Sequence, residues 1–376
     1  MNKVIIIGDD HINTLGVVRV FGKHNIKPYV IVYSQSSRVS IIKSKYIEKS
    51  WICKDLKKII EILQTNFRSC KKKPVIIPTS DKIAMLIDKN LDILKNNFYC
   101  PNINQKQKEI LLYMNKYSQY KFALDNNLKV ANSYVLNLSS NNIETPKIKF
   151  PIIVKPIISA EGNKNDIEIC NDKNEFFKIC KNLIEKKYNN ILVQEVICYD
   201  YECGMVGYSY DNKVEIPGMT IRKRCWPSKK GTTTLGKIIL YKKYNKEILK
   251  IKKAIEKLNF EGIFDLDVFL VGNDLYFNEI NLRNGGHSHA YMPSDICYYW
   301  YLSCCREKFV KCPEIDSEYY FIDEQADLHN IIESNISILQ YIKDMKRSKV
   351  KLSFDKRDFS PTIYMFIYKI LNNLQK

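Results

Sequence analysis

The stretch FDLDVFLVGNDLYFNEINLRNGG, residues Phe264 to Gly286, divides into two β-prone runs separated by a Gly-Asn-Asp turn. In LYFNEINLR the apolar Leu275, Phe277, Ile280 and Leu282 are interleaved with Asn278, Glu279, Asn281 and Arg283, and the period of two slips by one residue at Asn278-Glu279. Glu279, Asn281 and Arg283 are therefore expected on one face. The preceding run, IFDLDVFLV, is apolar apart from Asp265 and Asp267. Pairing the two runs through the turn brings Asp267 close to Glu279. Two carboxylates and an amide oxygen at one point repel each other unless a cation lies between them. Hard oxygen donors select Mg2+, or Mn2+ in its place, over zinc, and a nucleotide phosphate would complete the shell. Taken alone, the same residues also describe a hairpin with one solvated polar face.

The surrounding chain bounds the choice. Its 376 residues and 44.2 kDa allow two or three subdomains with a substantial core. No apolar run approaches the roughly 20 residues that span a bilayer. MNKVIIIGDD ends its short apolar run in two aspartates, which reads as a first buried strand and not a signal peptide, so a cytoplasmic protein is expected. The twelve cysteines include no C-x-x-C pair and no zinc-like spacing with the five histidines, and are read as reduced, mostly buried thiols. The net charge of +18 invites a nucleic-acid reading, but only nine of the 59 basic residues are arginines. The lysine, asparagine and isoleucine bias looks like AT-rich coding. Clusters at Lys71 to Lys73 and at Lys242-Lys243 lack interleaved aromatics, so no specific nucleic-acid site is expected. A weak attraction to anionic membranes or acidic substrates is compatible with the charge.

Along the first hundred residues strand and helix alternate: KVIIIGDD, TLGVVRVFGKHN, KPYVIVYS, then PVIIPTSDKIAMLIDKNLDIL. That order predicts a small parallel sheet of Rossmann type. Gly8 and Gly16 do not make a dinucleotide fingerprint. Asp81 follows PTS at the carboxyl end of a strand, where such sheets bind ligands, although Ser80 or Asp81 also reads as a helix cap. Helical spacing from Asn115 to Leu128 is followed by the strand KVANSYVL, a polar loop from Ser139 to Thr145, and the buried strand FPIIVKP. Lys155 near its end is costly unless the ammonium meets an anion or reaches water. A helix-like stretch from Phe176 to Lys187 leads to the strand NILVQEV and then YDYECGMVGYSYDN, which turns at Asp211-Asn212. Glu195 and Glu202 lie at the two ends of the connection between these strands.

GMTIRKRCWPSKKGTTTLG reads as a loop carrying Arg222, Lys223 and Arg224. Arginine is scarce in this chain, and bidentate recognition of carboxylate or phosphate is the task lysine cannot replace. YMPSDICYYWYLSCC is expected to be a helix packed on the site. His287 and His289, just after the metal strand, are read either as substrate contacts or, the preferred reading, as part of a glycine-flanked, solvated loop. FSPTIYMFIYKILNNLQK is expected to be an amphipathic helix starting after Pro361 and docked on the body in preference to a membrane.

The ordered elements from about Asn115 to Gly286 resemble the ATP-grasp superfamily, and the N-terminal sheet is similar to the pre-ATP-grasp domain that precedes it. The match rests on Asp267, on Glu279, Asn281 and Arg283 in a Glu-x-Asn-x-Arg pattern, on Lys116 at the head of a helix, on Lys155, and on Glu195 followed seven residues later by Glu202. PTSD, RKR and FNEINLRNGG look most like the carboxylate-amine ligases akin to D-aspartate ligase and to the carbamoyl-phosphate synthase large chain. The resemblance implies an α/β chain with an ATP-grasp fold: two α+β subdomains sandwiching ATP, preceded by a Rossmann-like domain. The boundaries it implies are 1–112 for the pre-ATP-grasp domain, 113–192 for the small subdomain, 193–312 for the subdomain with the Mg-ATP site, and 313–376 for a C-terminal extension with a helical tail.

By the same resemblance, Lys116 and Lys155 would contact nucleotide phosphates, with Lys121 a competitor for the role of Lys116. Glu195, Val196 and Ile197 would hold adenine and Glu202 the ribose hydroxyls. Asp267, Glu279 and Asn281 would bind Mg2+. Arg283 would stabilise the transferring phosphoryl group, and Arg222 and Arg224 would fix the acceptor carboxylate or acyl phosphate. SAEGNKND departs from the glycine-rich flap of many members, offering only Gly162 and Ser159. The implied reaction activates a small-molecule carboxylate as an acyl phosphate and joins it to an amine, using an amino acid and a cell-envelope, peptide or sugar-acid precursor. Other ATP-grasp products (carbamoyl or dipeptide), a nucleotide-binding scaffold without turnover, and a basic surface-binding module stand beside it. A homodimer is compatible with the resemblance.

Overall fold

The computed structural model describes residues 1–139, 143–157, 166–228 and 231–373. Ser159 and Gly162, and with them the expected flap, lie outside the described residues.

The N-terminal strands β1 (Val4–Gly8), β2 (Tyr29–Tyr33), β3 (Lys49–Cys53) and β4 (Val75–Pro78) form a parallel sheet in the order β3-β2-β1-β4. Successive side chains of a strand point to opposite faces, and both faces of this sheet are covered. Val4, Ile6, Val30 and Val32 enter one core with the helix Ile12–Lys23, while Ile5, Ile7 and Ile31 enter another with the helix Leu56–Phe67. This explains the unbroken VIII and VIV runs. The edge strand β3 was not anticipated, because KSWIC leaves Lys49 and Ile52 exposed and lacks such a run.

Two two-residue strands, β5 (Asn102–Ile103) and β6 (Lys129–Val130), stitch this half of the chain to a later sheet. A second, antiparallel sheet contains β7 (Ser133–Asn137), β8 (Ile152–Pro156), β9 (Glu168–Cys170) and β10 (Asn190–Glu195), ordered β7-β10-β8-β9. The helix Lys173–Glu185 closes its core through Phe176, Ile179 and Leu183.

The third sheet is the largest. Its strands are β11 (Tyr201–Tyr210), β12 (Lys213–Glu215), β13 (Met219–Trp226), β14 (Thr232–Ile239), β15 (Phe260–Val271), β16 (Asp274–Asn281), β17 (Tyr319–Ile322) and β18 (Ser348–Lys351). The main path runs β18-β17-β14-β13-β11-β15-β16-β6. The helix Asn245–Leu258 packs Ile248, Ile251 and Ile255 into its core. The helix Ile296–Arg306 joins this sheet to the N-terminal domain: Trp300, Tyr301 and Cys297 share a core with Val206, Tyr208, Val18 and Phe21.

Two expectations change. Most of the segment 218–236, read as a loop with a dense positive cluster, lies in β13 and β14, which pair antiparallel and are held to the body by the buried Met219, Leu235 and Ile238. The extension 313–376 is more than a helical tail: β17, ahead of its helices, and β18, ahead of the last of them, join the large sheet. Strands of four residues leave too short an alternation to be told from a loop.

Candidate active site

The turn and slip inferred from sequence are both present. Val271 pairs with Asp274 across a two-residue loop in which Gly272 has φ +60°, a conformation that glycine adopts without steric cost. The Asp200 carboxylate accepts the Gly272 N–H at 2.7 Å. Asp265 lies opposite Asn281 and Asp267 opposite Glu279, after which Val268 pairs with Phe277. Asn278 is thus the extra residue of a β-bulge, the physical form of the broken alternation. The bulge keeps Glu279 and Asn281 on the face of Asp265 and Asp267.

These residues line a cavity of about 650 Å³ between the large sheet and the N-terminal domain, together with Lys116, Arg222, Arg283 and His287. Arg283 is held from two sides, its Nε donating to Asp81 and its Nη1 to Asp265, both at 2.9 Å. Asp81 is the first residue of the helix Asp81–Lys89 beyond β4, so the switch-point carboxylate belongs to the same site. Burial pushes the Asp267 carboxyl up to about 8; Asp265 and Glu279 add to the rise, against Arg222. The second oxygen of Asp265, Oδ1, is buried without a hydrogen-bond partner among the described residues.

Among the described residues no three His, Cys, Asp or Glu side chains form a metal cluster by themselves. The donors on this face are two facing carboxylates and one amide. Together with an aspartate whose pKa burial and neighbouring carboxylates raise, this set suits a hard cation whose remaining ligands come from phosphate oxygens.

The lysines approach from the second sheet. Asn115 caps the helix Lys116–Asp125 by accepting from the Tyr117 and Ser118 N–H groups, and the Lys116 N–H donates to the Ile157 carbonyl at 2.9 Å. The helix head is thereby fixed beside the end of β8. Lys155 on β8 is buried, donating from Nζ to Gln194 Oε1 at 2.8 Å. Burial, reinforced by Lys116 and opposed by Glu279, lowers its ammonium to about 8. Lys121 lies over the Tyr117 ring and lines a different cavity, which favours Lys116 as the phosphate-side residue.

The remaining candidates divide. Glu195 ends β10, its carboxylate accepting the Asn132 N–H at 3.3 Å, and the half-buried Val196 and Ile197 follow in the connection to β11. Glu202 on β11 pairs with Arg222 at 2.8 Å. Arg222 also donates to Thr233 Oγ1 and the Gly231 carbonyl and lines the cavity. Arg224 does not line it. Its guanidinium donates to both oxygens of Asp327 and to Asp344, so the expectation that it grips substrate gives way to an internal ion pair. The bulges of β13 at Arg222 and Arg224 put these two arginines in different surroundings, which the spacing in RKR conceals.

The histidine expectation is also corrected. His287 lines the cavity, stacked on Phe321 with ring centroids 5.6 Å apart, and burial together with Arg222 and Arg283 lowers its pKa. His289 is wedged against the helix Ile12–Lys23, where a Cβ on Gly16 would lie 2.1 Å from its Nδ1, and burial drives it down to about 3. Sequence reasoning missed Asp265 as a site residue, although its place two residues before Asp267 put it on the same face. It also missed His11 and Asp323, whose meeting at the cavity depends on tertiary contacts.

No family model matches the chain. It is 24% identical over 246 residues to a D-aspartate ligase of Enterococcus faecium (strain Aus0004), covering 61% of this chain and 58% of that protein. It is 26% identical over 165 residues to a formate-dependent phosphoribosylglycinamide formyltransferase of Prochlorococcus marinus (strain NATL1A), covering 40% and 39% respectively. The match therefore spans less than two thirds of either relative. Solved structures cover more. An ADP complex of N5-carboxyaminoimidazole ribonucleotide synthetase superposes with a TM-score of 0.65 at 11% identity, covering 89% of this chain and 85% of that one. An L-amino acid ligase from Bacillus licheniformis gives 0.64 at 12%, covering 85% and 80%. By its architecture, the chain has the ATP-grasp fold behind a Rossmann-like N-terminal domain.

Proposed function

We propose that the protein is an ATP-dependent carboxylate-amine ligase. The observation that carries this reading is the facing pair Asp267 and Glu279, in one cavity with Lys116, Arg222 and Arg283. Lys116 and Lys155 hold the phosphates, the Glu195 to Ile197 segment holds adenine, and Glu202 holds the ribose. Asp267, Glu279 and Asn281 would hold Mg2+, which would neutralise phosphate charge and polarise the γ-phosphoryl group. Arg224 is left out because its guanidinium is already committed to Asp327 and Asp344. The boundaries near 112, 192 and 312 belong to this reading, with β6, β17 and β18 crossing over to the large sheet.

The chemistry follows from charge. A carboxylate oxygen attacks the γ-phosphorus, the bond to the β-phosphate oxygen breaks, and ADP leaves. Arg283, held by Asp81 and Asp265, is placed to meet the charge that spreads over the phosphoryl oxygens. An amine then attacks the acyl carbon, the C–O bond to phosphate breaks, and one amine proton passes to water as the amide forms. Arg222 orients the carboxylate. The two ligases among the compared proteins support an amino acid as one substrate. All twelve cysteines are free thiols, and no helix among the described residues is long and apolar enough to cross a membrane; both suit the reading of a cytoplasmic enzyme.

The test is Mg-ATP-dependent ADP and phosphate release, screened over amino acids paired with peptide and sugar-acid partners. Release that needs both partners, with the amide seen by mass spectrometry, supports a ligase. Thermal stabilisation by Mg-ATP without release under any pairing would instead identify a nucleotide-binding scaffold.

A further inference from the structure

The C-terminal helix Ser360–Asn373 presents an apolar stripe that the body covers only in part. Ile363, Phe366, Ile367 and Leu371 fall on one face by their spacing of three and four residues, and each is between 37% and 59% exposed. The Ile363 N–H donates to the Phe359 carbonyl at 3.2 Å, so the exposed Phe359 extends the stripe by one turn.

The stripe cannot turn inward, because the start of the helix is pinned from the other side. Arg19, buried in the N-terminal domain, donates to the Asp358 carboxylate and carbonyl and to the Ser353 carbonyl. Asp358 in turn accepts from Ser44 Oγ and from the Lys45 N–H. Pro361 is buried and Met365 packs on the shared core. An apolar face of this size held outward marks a binding surface.

Charge selects the occupant. Lys43 lies over the Tyr364 ring with its ammonium 4.9 Å from the centroid, and Lys43, Lys45, Lys356 and Arg357 are all exposed around the beginning of the helix. Nothing acidic lies between Phe359 and Asn373, and the nearby Asp358 is buried against Arg19. A second copy of a chain with net charge +18 would bring the same cations together at the contact. An apolar stripe bordered by lysine and arginine fits the boundary between anionic headgroups and acyl chains. We propose that this face docks the protein on an anionic lipid surface. The sequence expectation of a helix docked on the body in preference to a membrane then describes only its buried side.

The test does not depend on turnover. The full chain is sedimented with phosphatidylcholine vesicles and with vesicles containing phosphatidylglycerol, at low and high salt. Binding is expected to the anionic vesicles only and to weaken with salt. Phe366→Asp/Ile367→Asp and Lys356→Glu/Arg357→Glu are each expected to lower vesicle partitioning on the order of tenfold, with unchanged thermal melts. Equal binding to both vesicle types, or binding that neither double variant alters, would overturn the proposal. So would a dimer in sedimentation equilibrium that Phe366→Asp/Ile367→Asp converts to a monomer, which would assign the face to a second copy. Retention on an acidic polypeptide without any vesicle binding would assign it to an acidic protein.

Discussion

Arg283 and Asp81, 202 residues apart in the chain, meet at 2.9 Å and tie the end of the β15–β16 hairpin to the N-terminal domain across the cavity. The other arm of the same guanidinium reaches Asp265 at 2.9 Å. The planar fork satisfies two carboxylates on two domains at once, which an ammonium cannot reproduce. Arg283→Lys is therefore expected to fold yet lose at least about a hundredfold in ADP release. Asp81→Asn keeps the size of the side chain and removes its charge, and should lower kcat by about tenfold with a smaller change in KM for ATP. Steady-state kinetics on both variants checks this: wild-type kcat in Arg283→Lys would remove the arginine from the chemistry.

The facing carboxylates should make stability depend on pH and, under the proposed function, on Mg2+. Burial lifts the folded-state pKa of Asp267 to about 8, far above that of an unfolded aspartate. Between those values the folded state binds more protons than the unfolded state, so without metal this residue's contribution falls as pH rises from about 4 to 8. Mg2+ should reverse the loss at pH 8. Asp267→Asn should melt higher than wild type at pH 8 without Mg2+ and gain little when it is added. Thermal melts across this pH range, with and without Mg2+, read the effect directly. Glu279→Gln is expected to abolish ATP turnover with the fold intact, and amide formation retained in that variant would refute the metal-side assignment.

How far the sequence carried this reading depends on the length of each pattern. The 264–286 hairpin was legible down to its bulge because the slipped alternation of LYFNEINLR, an apolar run broken only by Asp265 and Asp267, and a Gly-Asn turn constrain one another. The parallel N-terminal sheet was legible because strands buried on both faces leave continuous Ile and Val runs. Arg224 was misread because its partners Asp327 and Asp344 lie more than a hundred residues away. His287 and His289 were placed in solvent because flanking glycines resemble a surface loop. In the fold that segment passes between Phe321 and the helix Ile12–Lys23, whose Gly16 makes room for an imidazole.

Lys155 should report nucleotide binding as proton uptake. Burial lowers its ammonium to about 8, so near that pH a sizeable fraction of the free protein carries it neutral. Phosphate oxygens placed against Nζ favour the charged form and draw in a proton. Isothermal titration of ATP at pH 8, in buffers of different ionisation enthalpy, should show wild type taking up more protons than Lys155→Met, a difference from which any proton that Asp267 releases to Mg2+ cancels. The lowered pKa also means that the folded state binds fewer protons between about 8 and the usual lysine value, so Lys155 contributes stability that grows as pH rises through that window. Removal of the ammonium should therefore raise the melting temperature of the free protein at pH 7 while nucleotide stabilisation is lost.

Arg224 tests the opposite kind of role, a charge that holds the fold and never meets substrate. Asp327 and Asp344 have fully buried side chains, and Arg224 donates to both. Burial alone would raise the Asp327 carboxyl, but hydrogen bonds from Arg224, Thr234 and Asn330, together with the charge of Arg224, outweigh it and hold the group below its usual value. Arg224→Ala strands at least one buried carboxylate, since Arg347 at 2.7 Å still serves Asp344 alone. The expected cost is about 3–5 kcal/mol of stability, read by denaturant unfolding. Because a neutral partner no longer needs the cation, Arg224→Met with Asp327→Asn should recover a large part of that loss. Folded Arg224→Met/Asp327→Asn protein should keep the wild-type KM for each substrate. A KM for the carboxylate raised tenfold or more in that stable double variant would return Arg224 to the substrate site.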